Sequence, residues 1–246
     1  MSVAVWLLVV GVCDLLRAAR DATSSRRRGL LVLVGAAALV FVALATEFDL
    51  LWWSTVALTW LLGLAAWVLT SSAALDPSSS HRGAWRVGAF VSFAVPLAAL
   101  LMVGTRPFPS SDLWASVGGP TLAGAVGGDT FVVHVGVAVA LLGTSNVLVR
   151  LLLDAVGVPA VTNEKTLRGG RLLGPMERLF LLVLATVGQV AAGSVVVAAK
   201  GLLRYPELQR SGRDSGPTDL SEYFLIGSFA SWLLALGGWV LVILLG

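Results

Sequence analysis

Residues 179–199 form a run of 21 positions without a charge, bounded by Arg178 and Lys200, and such a run restricts the fold strongly. About 20 apolar residues carry a helix across a hydrocarbon core of roughly 30 Å, where every backbone group must find its partner inside the helix. Pro175 fits a first helical turn, and Glu177 follows early enough to meet the positive end of the helix dipole. The spacing therefore predicts one transmembrane helix from near Pro175 toward Pro206, with Glu177 and Arg178 at one end and Lys200 and Arg204 at the other. Ala185, Gly188 and Ala192 recur on one side of it as a small-residue seam that admits a second backbone, with Gln189 beside the seam near mid-membrane.

The rest of the chain has the same character. Only 13% of its residues are charged, against about a quarter in soluble domains, and the mean hydropathy is +0.89. Six further apolar runs fall at 1–16, 29–46, 50–70, 85–103, 131–153 and 223–245. The fold class expected is an all-α polytopic transmembrane helix bundle of about seven spans, or six if the first run lies in the interface. That first run is followed at once by Arg17, Arg20 and Arg26 to Arg28, the charge order of an uncleaved signal-anchor with its N-terminus outside. Pro96 inside the fourth run predicts a kink.

Three regions follow: 1–153, five spans with a Gly/Pro-rich loop at 105–129; 154–174, a charged cytoplasmic loop; and 175–246, a two-span module packing on the fifth span. The loop at 105–129 reads either as a surface loop or as a re-entrant piece. In the fifth span Gly136, Ala140 and Gly143 make a second seam, which ends in Asn146. Gly227, Ser231 and Ala235 make a third in the last span. Spans five, six and seven are thus expected to pack closely on one another, and the first four through bulky aliphatic contacts.

With seven spans and the N-terminus outside, 12 basic residues fall on the cytoplasmic side and five outside. That count places the C-terminus in the cytoplasm. Lys200, Arg204, Arg210 and Arg213, all on the outer side in this arrangement, run against it. A net charge of +3 carried by loop arginines points to topology and lipid headgroups as the partners, not nucleic acid.

Enzymes working inside a membrane need positioned acids, bases, nucleophiles or metals, and this chain offers few. His134 reads as a ligand or relay, or as a hydrogen-bonded packing residue. One histidine builds no usual metal site, and a lone Cys13 builds no disulfide or cysteine cluster, so no metal or cofactor is expected. Asn146 and Gln189 read either as a polar path or as helix-helix glue worth on the order of 1 kcal/mol. Arg168, Arg171, Glu177 and Arg178 read as a headgroup or partner contact, or as a helix cap with positive-inside arginines. Lys200 and Arg204 divide in the same way. No phosphate-binding, dinucleotide, zinc-protease or serine-hydrolase motif occurs.

Gly169 and Gly170, the pair Glu177 and Arg178, Gly188 and Gln189, Ala198 to Lys200, Arg204, and Glu222, Tyr223 and Gly227 follow a recognisable order. In them the last third of the chain resembles a family of uncharacterised bacterial integral membrane proteins, a domain of unknown function. The resemblance implies a membrane location and adds no activity. The expectation is a non-enzymatic component of a bacterial inner-membrane complex, homo- or hetero-oligomeric. The alternatives are a small channel or transporter lined by Asn146 and Gln189, and an enzyme acting on lipid headgroups.

Overall fold

The computed structural model describes residues 2–18, 24–44, 50–103, 128–158, 170–214 and 218–246, and these are all-helical, without a strand. The helices are α1 (Ser2–Arg17), α2 (Ser25–Leu44), α3 (Leu50–Ala74), α4 (Arg82–Val103), α5 (Gly128–Leu142), α6 (Thr144–Ala155), α7 (Gly170–Thr186), α8 (Val190–Asp214) and α9 (Thr218–Leu245). Among the described residues, four stretches are helical, long and apolar enough to cross a membrane: Ser54–Ala74, Arg82–Val103, Asp129–Ala155 and Tyr223–Leu245. Nearly all of the 105–129 loop lies outside the described residues, as does most of the 154–174 loop.

Two compact units divide the chain, Met1–Thr144 with Leu241–Gly246, and Ser145–Val240. In the first, α1 is the hub, packed against α2, α3, α4 and α5. Its side chains Val3, Ala4, Trp6 and Val10 have no exposed surface. The closest approach is to α5. A methyl group on Gly136 would strike the Ala4 carbonyl oxygen, one on Gly11 would lie 2.8 Å from the Val139 carbonyl carbon, and one on Gly143 would strike the Gly11 oxygen. Glycine is needed at these crossings because backbone meets backbone. The seam Gly136, Ala140, Gly143 was expected to receive the last two spans; in this unit α1 occupies it. Helix α1 forms the middle of the unit, with most of its residues buried.

Bulky contacts do hold α3 and α4 to α1. Trp6 and Trp67 both tilt against Phe93, with ring centroids 5.3 and 5.2 Å away. Pro96 is buried against Gly63, where an added Cβ would come within 2.7 Å of its ring, so the glycine makes room for the proline. The contacts also fix direction. Ser2, Asp14 and Arg17 of α1 meet Trp60, Trp67 and Ser72 of α3 in rising order, and Ala4 and Gly11 meet Gly136 and Ala140 of α5 likewise. Helices α1, α3 and α5 therefore run parallel. At their starting end Thr130 donates to the Gly246 carbonyl oxygen at 3.4 Å, so both chain ends lie at this end of the unit. At the other end Arg28 pairs with Asp76 at 3.5 Å.

In the second unit the helix expected to begin near Pro175 and run unbroken to 199 does neither. It begins at Gly170, with Pro175 buried in its second turn, and it stops at Thr186. A new helix starts at Val190 and packs back on the first. Gly188 has φ +76°, its N–H bonds to Ala185 O at 3.1 Å, and the Gln189 N–H bonds to Leu184 O at 2.7 Å. This pair of bonds around a left-handed glycine is a Schellman cap. Hydropathy carries no trace of it, since the residues on both sides are apolar.

Candidate functional site

The second unit draws Glu177, Arg178 and Lys200 into one inward network. Glu177 and Arg178 are adjacent on α7 and point to different partners. Glu177 accepts from Lys200 Nζ of α8 through Oε2 and from Trp232 Nε1 of α9 through Oε1, the latter at 2.9 Å. Arg178 donates through Nη1 to Ser231 Oγ of α9 at 2.9 Å and through Nη2 to Asn146 Oδ1 of α6. Arg178 is 2% exposed, and Lys200 also lies over the Phe224 ring at 5.8 Å. Two consecutive residues thus tie together the four described helices α6, α7, α8 and α9. Burying an ion pair costs several kcal/mol per ion, offset only where the remaining donors and acceptors are bonded as they are here. The arrangement holds the helices in register.

Four residues chosen from the sequence, Asn146, Glu177, Arg178 and Lys200, are therefore brought into one network, together with Ser231 from the packing set. Gln189 is not among them: it sits exposed at the turn between α7 and α8, away from Asn146. His134 is half-buried in α5, where its Nδ1–H donates to Thr130 O at 2.7 Å, a bond within its own helix. Among the described residues no three His, Cys, Asp or Glu lie together as metal ligands. Arg168, and the side chains of Arg171 and Arg204, lie outside the described residues. Ala185 lines an apolar cleft of ≈ 320 Å³ with Leu181, Val190, Ala235 and Trp239. The small residue set against α7 is Gly193, where an added Cβ would lie 3.2 Å from Leu181 Cδ2, while Ala192 is half-buried one position away. A Cβ added at Gly227 would lie 3.7 Å from Leu153 Cδ1.

A second network, in the first unit, was not anticipated. Asp14 and Arg17 pair within α1 at 2.6 Å, with side chains 0% and 6% exposed. Arg17 donates to Ser72 Oγ at 3.0 Å and Ser71 Oγ at 2.9 Å, and Trp67 Nε1 donates to Asp14 Oδ2 at 3.0 Å. The guanidinium also lies 5.7 Å from the Trp67 ring centre. The signal available was the Asp-x-x-Arg spacing, which places both charges on one helix face. It is hidden if Arg17 is read only as the flank of an apolar run.

Outside the apolar helices, Asp76 opens the α3–α4 connection. Its carboxylate accepts from the Ser78 hydroxyl at 2.7 Å and backbone N–H at 3.0 Å. These bonds, with smaller help from Arg28 and Arg82, hold it below the usual carboxylate range.

Compared with protein-family models, with curated proteins and with solved structures, the chain matches none.

Proposed function

We propose that this chain is a polytopic protein of a bacterial cytoplasmic membrane, with six or seven crossings and its N-terminus outside, working non-enzymatically as an oligomeric or accessory component of a membrane assembly. The observation that carries the reading is the inward network of Glu177, Arg178, Lys200, Asn146, Ser231 and Trp232. Its acid and bases bond to one another between helices, as a structural core does. Outward-facing Leu225, Phe229, Leu233, Val240 and Ile243 of α9 are each about half exposed or more, an apolar surface suited to lipid or to another membrane protein. The resemblance of the last third to an uncharacterised membrane family belongs to the same proposal, because Glu177, Arg178 and Lys200 carry both. Purification into native nanodiscs followed by mass spectrometry of the intact assembly tests it. A defined homo- or hetero-oligomer is the expected result, and a bare monomer that conducts solute refutes it.

Transport is the second reading, favoured by the break at Gly188. Discontinuous helices inside a bilayer occur where the broken backbone is covered by protein or lines an aqueous path. Gln189→Leu in reconstituted vesicles separates the two. Lost flux with intact assembly supports a path, and no flux in either protein supports the component role.

A further inference from the structure

We infer that α7 and α8 form a re-entrant hairpin, entering and leaving the membrane by its cytoplasmic face, so that the chain makes six crossings and ends on the same outer side as it begins. The inference rests on the membrane reading above and supplies its topology.

The first argument is parity. In the first unit α1 and α5 start at the same end, and Gly246 meets Thr130 at that end. On the membrane reading α1 and α2 cross together with the three long apolar stretches Ser54–Ala74, Arg82–Val103 and Asp129–Ala155, the last formed by α5 and α6, and these five crossings carry the chain to the opposite side. Returning to the starting side takes an odd number of crossings, and α9 supplies one. The α7–α8 segment must therefore make no net crossing.

The second argument lies within the second unit. Leu153 meets Gly227, while the earlier Asn146 and the later Ser231 share the Arg178 guanidinium, so α6 and α9 run antiparallel. A full crossing between them would make them parallel. The hairpin turn lies level with Trp239, which lines the same cleft as Ala185 and Val190. Trp239 is six residues short of Leu245, about 9 Å at 1.5 Å per residue. The hairpin thus rises most of the way along α9 and turns back.

The third argument is charge. With the hairpin, Lys200, Arg204, Arg210 and Arg213 move to the cytoplasmic side, where cytoplasmic segments collect Lys and Arg. Of the 17 basic residues, Arg106 alone then stays outside. The four residues that opposed the seven-crossing arrangement become part of the bias. The short α1, 16 residues, is acceptable as a crossing because helices of its own unit surround it.

Single cysteines test this in sealed cells with a membrane-impermeant maleimide. Cys13 is buried, so the natural chain serves as the unlabelled background. Ser79→Cys and Ser215→Cys should be labelled only after permeabilisation, and a cysteine appended after Gly246 should be labelled in intact cells. Ser215→Cys labelled from outside, or the C-terminal cysteine protected until permeabilisation, overturns the hairpin. A C-terminal alkaline phosphatase fusion gives a second reading that needs no substitution: activity is expected, and its loss in a stably accumulating fusion counts against the proposal. Alkaline carbonate extraction separates the premises. Release from membranes sinks the membrane reading itself, whereas retention with the wrong labelling pattern sinks only the hairpin.

Discussion

Glu177 sits where the cost of a missing partner is largest. Glu177→Ala leaves the Lys200 ammonium buried without its carboxylate and Trp232 Nε1 without its acceptor. A destabilisation of about 3 kcal/mol is expected, read as a lowered thermal midpoint in nanodiscs. Adding Lys200→Met should restore part of it, because no charge is then stranded; further loss in the double variant would contradict the pairing. Asp76 makes a pH prediction. Its pKa is depressed on folding, so the stabilising contribution is complete above the ordinary value near 3.8 and disappears as pH falls through the folded value. The protection of the Ser78 amide against hydrogen exchange, relative to a free amide at the same pH, should be high at neutral pH and fall below about pH 4 in the natural chain. In Asp76→Ala it should be low at both. At this scale the sequence was informative in part. Asn146, Glu177, Arg178 and Lys200 stand out as polar residues in apolar stretches, but the pairing of Glu177 with Lys200 depends on a fold-back that no local spacing announces.

Glycine decides what the helices can do. Gly188→Ala forces an alanine into a left-handed backbone, a cost of roughly 1–2 kcal/mol, and should loosen the α7–α8 turn. Faster hydrogen exchange at Gln189 and Val190 would report it. Gly136→Ala should be worse, since the added methyl meets the Ala4 carbonyl oxygen of another backbone and not a side chain that can turn away. Gly201→Ala, where nothing lies within 4 Å, is the matched control and should leave the thermal midpoint near the natural value. The existence and apolar character of most helices could be read from hydropathy. The break at Gly188 could not, because helix continuation and a Schellman cap use the same apolar neighbours, and what separates them is the tertiary contact of α8 with α7. Partner choice between seams was equally invisible: Gly136, Ala140 and Gly143 mark a close approach without naming α1 as the helix that makes it.

On the scale of the molecule, the first helix is a structural member of its unit. A chain lacking residues 2–17 would leave Trp60, Trp67, Gly136 and Gly143 without the surface that covers them. It should fail to accumulate in membranes, as an immunoblot of washed membranes would show; normal levels would contradict the central role of α1. This helix also has an unusual place in the order of synthesis. It leaves the ribosome before its partners, carrying Asp14 and Arg17, whereas Trp67, Ser71 and Ser72 follow some 50 residues later and the α5 backbone more than 120 residues later. Until then the ion pair has only itself for company, and contacts this distant in sequence close slowly. In the proposed topology, α1 is then expected to wait beside the exit site, shielded from lipid, until the fifth crossing arrives.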